Sequence, residues 1–219
     1  MSNYLKQLFS DKKIVQRVKE RMPDLFQLAE ADSSRAGKLG MEVGSVRERI
    51  IIALLIYKFG EENVKTDTPI TESEIDAILF DDPISIKTIS GDLSGVKLIW
   101  TVDPQKALEF SKNYTPKTDI LLVNINWGAI SAFYYFPKES QMKVFKKLGT
   151  KKYLKLPKKG TNPRGVEITK NAIKLLVIDK DTMLININWE RREVEYNIYG
   201  RWVELWRKTK NLWKVLPRQ

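Results

Sequence analysis

A run of eight apolar residues at positions 50–57 is the sequence feature that most constrains how this chain can fold. Because a helix needs about 20 apolar residues to cross a bilayer, this run is too short to span a membrane and indicates a buried element. It lies in a segment, residues 45–59, that Gly60 ends and that predicts a helix apolar nearly all round. Such a helix requires other helices or sheets packed around it.

The rest of the 219-residue chain alternates between strand-like and helix-like segments. The predicted strands are residues 74–80, 84–90, 96–102, 118–127, 129–136, 183–189 and 194–199. The predicted helices are residues 5–22, a second helix after Pro23, one after Asp103-Pro104, residues 139–148 and the C-terminal segment. Since no linker or low-complexity segment interrupts this order, we expect one α/β domain over residues 1–219, with a mixed central β-sheet flanked by helices.

The composition excludes several kinds of site. The chain has no Cys and no His, which removes disulfides, thiolate or imidazole metal sites and Ser-His-Asp catalysis. An enzyme built from this sequence must use carboxylates, Lys, Arg, Tyr, Ser or a hard metal ion. Charged residues throughout positions 1–21 do not fit a signal peptide, so we expect an intracellular protein with no membrane partner.

The net charge of +11 is unevenly distributed along the chain. Of the 38 Lys and Arg residues, 21 lie from Lys138 onward, together with only 8 of the 27 Asp and Glu residues. Clustered Lys and Arg bind a phosphate backbone by releasing counterions, so residues 138–219 are predicted as a basic DNA-binding part. Residues 1–137 are predicted to contain a mainly helical N-terminal part and the catalytic core. The alternative explanation of the positive charge is that it serves solubility alone.

Two charged residues, Asp76 and Lys87, lie within otherwise apolar predicted strands. Burying a charge in this way is costly unless it has a partner. If Asp81-Asp82 forms a two-residue hairpin loop, Phe80 faces Pro83, and Asp76 faces Lys87 with Cβ atoms about 5 Å apart. The register therefore predicts a carboxylate–ammonium pair, which a one-residue slip would separate. An ordinary cross-strand salt bridge is the alternative interpretation.

Glu48, in the first turn of the predicted buried helix, is the third candidate catalytic residue. A second carboxylate beside Asp76 would make a site for a hard divalent cation such as Mg²⁺. Lys87 could then orient, or help to deprotonate, a water that attacks phosphorus in line. Because Glu48 follows Ser45 by three residues, a helix capping box is the alternative interpretation of the same pattern.

The order of helix Glu, strand Asp and hairpin Lys resembles the PD-(D/E)xK nuclease superfamily. Its pattern corresponds here to Glu48, Ile75-Asp76 and Ser85-Ile86-Lys87. Ile75 replaces the Pro of the motif and Ser85 replaces its second acid, so Glu48 would supply the missing carboxylate. The resemblance implies that Asp76, Glu48 and the backbone carbonyl of Ile86 hold the metal, in a restriction-endonuclease-like core.

Residues 40–50, 71–76 and 85–91 also resemble the ThaI family of type II restriction endonucleases. That resemblance implies a homodimer, double-stranded DNA as partner, a CGCG target, blunt cutting and Mg²⁺. It also implies that Met41 enters between bases from the minor groove, a role that suits a flexible apolar side chain. Ser90, at the end of the matched segments, is assigned to DNA contact.

Basic residues outside the catalytic segments are further candidates for DNA contact. Arg35 and Lys38 precede the predicted catalytic helix, and Lys158, Lys159 and Arg164 lie in a basic loop predicted over residues 155–165. Solvated surface loops are the alternative for both groups. The rival function is a non-catalytic basic nucleic-acid-binding protein, which needs the charge distribution but not the acidic residues.

Overall fold

The computed structural model of the protein describes residues 3–35, 38–39, 42–67, 74–101, 103–157, 165–193, 197 and 199–207. Across these ranges, every helix is too short or too polar to cross a membrane.

The chain forms eight α-helices and eleven strands within the described ranges. The helices are α1 (Asn3–Ser10), α2 (Lys12–Asp32), α3 (Val43–Phe59), α4 (Pro104–Asn113), α5 (Lys138–Leu148), α6 (Thr150–Tyr153), α7 (Lys170–Val177) and α8 (Gly200–Arg207). The strands are β1 (Ser34–Arg35), β2 (Lys38–Leu39), β3 (Val64–Lys65), β4 (Ala77–Leu79), β5 (Asp82–Ser90), β6 (Val96–Trp100), β7 (Asp119–Ile125), β8 (Ile130–Phe136), β9 (Leu154–Lys155), β10 (Gly165–Ile168) and β11 (Met183–Asn188).

A six-stranded sheet in the order β11-β8-β7-β5-β4-β3 forms the centre of the fold. Its β5–β7 pair is parallel and its other pairs are antiparallel, so the sheet is mixed, as the sequence predicts. All seven residues of β7 are buried, because packed layers cover both faces of the sheet.

The two faces of the central sheet belong to different hydrophobic cores. On β7, Leu121, Val123 and Ile125 pack into a core with α1, α2 and α3. Ile120 and Leu122 point the other way, into a core with α4, α5, α7 and the second sheet. This alternation follows from the two-residue period of a strand.

A second sheet, in the order β6-β10-β9, was not predicted as a unit from the sequence. β6 is far from β9 and β10 in the chain, and those two strands have only two to four residues. Strands this short carry too little alternation to be recognised by pattern. This sheet nevertheless forms one wall of the candidate site.

The prediction that Pro23 separates two helices is wrong, because α2 continues through it. The break lies at Asp11, whose side chain accepts hydrogen bonds from the backbone N–H groups of Lys13 and Ile14 at 2.9 and 3.2 Å. A proline inside a helix costs about 3 kcal/mol. We attribute the tolerance of Pro23 inside α2 to the packing of one continuous buried stripe, formed by Ile14, Val18, Met22, Pro23 and Phe26.

Helix α3, predicted to begin at Ser45, begins at Val43 and ends before Gly60. The capping-box interpretation of Ser45 and Glu48 is therefore wrong. The helix packs against α2 and β5, and its innermost stripe is Arg47, Ile51 and Leu55. This packing places Glu48, the neighbour of Arg47, at the edge of the core beside the β4–β5 hairpin.

Candidate active site

The β4–β5 hairpin carries the aspartate and lysine, but its register differs from the predicted one. Leu79 is paired with Asp82 and Ala77 with Ile84, so the turn is formed by Phe80-Asp81. Asp76 thus comes opposite Ser85, two positions away from the predicted partner Lys87. A shift of two residues keeps every side chain on its original face, so the expected meeting of Asp76 and Lys87 is preserved.

The position of the turn is explained by aromatic packing. Phe80 and Asp81 both have positive φ angles, +47° and +69°, as a tight hairpin of mirror-image type requires. A positive φ is unfavourable for Phe, but its ring stacks on Tyr4 at 3.9 Å and meets Phe59 edge-on at 5.9 Å. These contacts stabilise a turn that local turn signals do not indicate.

Asp76 is the centre of the site. Its Oδ2 accepts hydrogen bonds from the Ile86 backbone N–H at 2.6 Å, Lys87 Nζ at 2.8 Å and Ser85 Oγ at 3.3 Å. The Asp76 and Lys87 side chains are each 15% exposed, so water screens their attraction only partly. The hydrogen bonds described for Asp76 all reach Oδ2, which leaves Oδ1 able to bind a cation.

Glu48 lines the same cleft as Asp76, Ile86 and Lys87. The cleft has a volume of about 700 Å³ and lies between α3, the β4–β5 hairpin and the second sheet. Burial raises the pKa of the Glu48 carboxyl, the neighbouring Asp76 carboxylate raises it further, and Lys87 acts in the opposite direction. The three predicted catalytic residues therefore meet, despite their separation along the chain.

The donor set of the cleft suits a hard cation. Two carboxylates and a strand backbone provide oxygen ligands, which Mg²⁺ and Ca²⁺ prefer. Among the residues that the structure describes, no group of three or more Asp and Glu side chains could hold a metal. Ser85 explains this limit, since it stands where the superfamily pattern has an acid and is fully buried.

A buried ion pair that the sequence did not indicate anchors α3 next to Glu48. Arg47 and Glu30 are 4% and 5% exposed, and Arg47 Nη2 lies 2.5 Å from Glu30 Oε1. Trp127 Nε1 and Arg191 Nη2 also donate to Glu30, at 2.8 and 2.6 Å. Residues from three further parts of the chain thus converge on one carboxylate of α2, a convergence that depends on tertiary packing.

The predicted DNA-contact residues are described only in part. Ser90 is exposed at the end of β5, and its Oγ accepts a hydrogen bond from Arg47 Nη1 at 3.2 Å. Arg35 and Lys38 are paired in register across the β1–β2 hairpin. Their side chains lie outside the described part of the chain, as do the whole residues Met41, Lys158, Lys159 and Arg164.

Three charged residues near the site were missed by sequence reasoning. Lys97 and Glu167 line the cleft from the second sheet. Glu74 lies two residues before Asp76, and burial raises its pKa to about 7 against the opposing effect of Lys87. The alternation of charged and apolar residues in Val96-Lys97-Leu98 indicated a strand, but the sequence did not indicate which sheet this strand joins.

The architecture and this cleft define a restriction-endonuclease-like nuclease, and similarity to known proteins identifies the family. A solved chain described as "Restriction endonuclease in complex with substrate DNA" superimposes with a TM-score of 0.87 and 56% sequence identity. The match covers 94% of this chain and 99% of the other chain. No curated protein shows significant similarity.

The family model "Restriction endonuclease ThaI" matches residues 8–208. This chain belongs to the ThaI restriction endonuclease family and is a site-specific deoxyribonuclease. The fold class and the family resemblance inferred from the sequence are confirmed.

Proposed function

We propose that this protein is a type II restriction endonuclease that hydrolyses both strands of duplex DNA at CGCG, leaves blunt ends and requires Mg²⁺. The observation that carries the proposal is the 2.8 Å contact of Lys87 Nζ with Asp76 Oδ2, in a cleft that Glu48 also lines. The sequence target and the blunt ends rest on the family resemblance. The solved relative, which contains substrate DNA, supports DNA as the substrate.

Asp76, Glu48 and the Ile86 carbonyl are the proposed ligands of Mg²⁺. Since the N–H and C=O of one strand residue point to the same side, the Ile86 carbonyl faces the side on which its N–H reaches Asp76. A bound divalent cation would supply Lewis-acid stabilisation of the charge that develops on the phosphoryl group. The raised pKa of Glu48 fits this role, because its charged form is costly here without a cation.

Lys87 is the proposed catalytic cation. Its ammonium is held by Asp76 in the cleft, where it can donate a hydrogen bond to the attacking water and orient it toward phosphorus. Its limited exposure restricts the side chain to few conformations. Lys87 therefore enters the reaction already positioned.

The basic residues and Met41 are proposed to bind the DNA around this centre. Arg35, Lys38, Lys158, Lys159 and Arg164 would contact phosphates, and Ser90 would contact the DNA beside the cleft. Met41, shortly before α3, would enter an unstacked base step from the minor groove.

We also propose that residues 1–219 form one domain, with residues 138–219 as its basic part, and that the enzyme acts inside a prokaryotic cell.

Digestion of a supercoiled plasmid with Mg²⁺ tests the proposal. We expect discrete fragments whose sequenced ends are blunt and lie within CGCG. Asp76→Asn and Lys87→Ala should each lower the cleavage rate by at least about 100-fold, because the affected groups act on developing charge. Both variants should keep salt-dependent DNA binding.

Three outcomes would count against the proposal. A protein that shifts the mobility of the plasmid but never nicks it would be the non-catalytic binder. A smear would exclude sequence specificity, and cleavage by Asp76→Asn at the wild-type rate would remove the assigned centre. Lys65→Met is the matched control, since it removes a strand lysine that forms an exposed ion pair with Asp81 outside the cleft.

A further inference from the structure

A row of three charged residues crosses the second sheet at the wall of the cleft. Lys97 on β6 is paired with Glu167 on β10, and Glu167 is paired with Lys155 on β9. Directly opposed residues project from the same face of a sheet. Because Lys97 and Glu167 both line the cleft, this Lys97–Glu167–Lys155 row faces the candidate catalytic centre.

Lys155 compensates the charge of Glu167 within the row. Its Nζ lies 2.5 Å from Glu167 Oε1, and the two side chains are 59% and 20% exposed. The carboxylate of Glu167 is therefore less repulsive to an anion in the cleft than an unpaired carboxylate would be. Lys97 is the cation of the row that lines the cleft itself.

Two glycines allow the close strand approach that shapes the row. A Cβ atom on Gly165 would come within 3.2 Å of Lys97 Cδ and 2.8 Å of the Ile99 carbonyl oxygen. A Cβ atom on Gly95 would come within 3.3 Å of Glu167 Oε1. The stem of Lys97 thus lies against backbone with no side chain between, which limits the directions its ammonium can take.

A β-bulge lies at the same place. The register of β10 against β6 shifts between Val166 and Glu167, so that Leu98 is the extra residue beside Lys97. Bulges bend a strand and redirect the neighbouring side chain, and they are over-represented next to active sites. The bulge therefore gives Lys97 a direction that an unbroken ladder would not.

The size and charge of the cleft indicate what Lys97 binds. Six waters around a hard cation occupy about 180 Å³ at roughly 30 Å³ each, well below the cleft volume of about 700 Å³. The described lining residues include three acids, Glu48, Asp76 and Glu167, and Lys87 already contacts Asp76. A DNA strand carries one negative charge per nucleotide, so a cation on the second wall favours its entry.

We propose that Lys97 binds a backbone phosphate that flanks the scissile phosphate, and that Glu167 and Lys155 position it. This inference rests on the proposed function, because it assumes that duplex DNA enters the cleft. Lys97 becomes a substrate-binding residue on the opposite wall from Lys87. The cleft then holds the DNA strand between its two sheets.

The test is the salt dependence of binding to a fluorescent CGCG duplex, with Ca²⁺ replacing Mg²⁺ to prevent cleavage. Loss of one phosphate contact should reduce the slope of log K against log[KCl] by about 0.9 for Lys97→Met. Loss of a charged hydrogen bond should weaken binding by about tenfold. Lys97→Arg should keep the wild-type slope, and so should the control Lys65→Met.

A scan of single methylphosphonate linkages, which carry no charge, locates the contact. A methylphosphonate at a linkage that flanks the cut should weaken DNA binding by the wild-type protein. It should leave the DNA affinity of Lys97→Met unchanged. Suppose that wild-type protein cleaves the duplex with Mg²⁺, but that Lys97→Met shows the wild-type salt slope and the wild-type response to methylphosphonates. That result would overturn the inference about Lys97 and leave the proposed function standing. Wild-type protein that does not bind duplex DNA would overturn the proposed function as well. If Lys97→Met does not fold, Lys97→Gln serves the same comparison.

Discussion

At the scale of single residues, the candidate site has carboxyl groups whose surroundings disfavour the ionised form. Burial raises the pKa values of both Glu48 and Glu74, and Asp76 adds to the shift in each case. Neighbouring carboxylates of this kind either take up protons or share a cation. At Glu48, which lines the cleft, the proposed metal therefore compensates this cost.

Glu48→Gln should weaken metal binding without removing the fold. We expect the half-saturating Mg²⁺ concentration to rise by more than the roughly 10- to 100-fold that is typical for loss of a second-shell partner. Mn²⁺ binding followed by electron paramagnetic resonance measures this directly, without relying on cleavage. Because protons compete for the raised-pKa carboxyl, wild-type affinity should increase as the pH rises. An unchanged Mn²⁺ affinity in Glu48→Gln would remove Glu48 from the ligand set.

Glu74 should make the stability of the protein depend on pH. Its pKa is raised from 4.5 to about 7 in the folded state, and Oε1 is buried without a hydrogen-bond partner among the described residues. A raised folded-state pKa stabilises the fold at low pH, and this contribution is lost as the pH rises from about 4.5 to about 7. The loss is at most about 1.4 kcal/mol per pH unit.

Urea unfolding at several pH values checks this expectation. Glu74→Gln should flatten the decline of the unfolding free energy over that interval and be the more stable protein at pH 8. Glu74 lines a small pocket beside α4, and the exposed Glu109 lines it as well. Glu109→Gln is therefore the control and should keep the wild-type decline. Parallel curves for wild type and Glu74→Gln would show that Glu74 is not the titrating group.

At the scale of elements, α3 is tied to α2 at both ends by ion pairs of different kinds. Arg47 and Glu30 form the buried pair beside Glu48, whereas Lys58 and Asp11 form a half-buried pair at the far end. Removing one partner of a buried pair leaves an uncompensated charge, which costs more than losing an exposed pair. The end of α3 that carries Glu48, the proposed metal ligand, is thus the more firmly held.

Arg47→Met should destabilise the protein by about 3 kcal/mol, the lower end of the range for broken buried pairs, since Glu30 keeps two other donors. Lys58→Met should cost less than about 1 kcal/mol. Thermal unfolding measures both effects. If Arg47 positions Glu48, Arg47→Met should also need more Mg²⁺ for cleavage than the wild-type protein, at temperatures below unfolding. Lys58→Met should need no more Mg²⁺ than the wild-type protein. Equal Mg²⁺ requirements would reduce Arg47 to a purely structural role.

At the scale of the whole molecule, the proposed centre in one cleft would cut one DNA strand. Since the proposed CGCG target reads the same on both strands, a two-fold dimer would place one centre at each strand. We expect sedimentation of the protein with its duplex to give a complex of two chains and one DNA. Rapid sampling of plasmid digestion should show little accumulated nicked circle. A one-to-one complex that releases nicked circles would contradict the dimer.

Much of the site was predictable because its determinants are local. Asp76 and Lys87 stay on one face under any even register shift, so the two-residue period of the strands was sufficient to bring them together. Gly60 ends α3 and Asp103 caps α4, as the chain indicates. The absence of His and Cys left oxygen ligands and Lys as the available chemistry.

Tertiary packing decided the features that involve distant segments. Stacking of Phe80 on Tyr4 set the hairpin turn, and a continuous buried stripe carried α2 through Pro23. Lys97, on the far wall of the cleft, lies on a strand that the sequence predicted, but the other two strands of its sheet are too short to recognise. Sequence patterns report interactions within a few residues, whereas these features depend on which surfaces meet when the whole chain is compact.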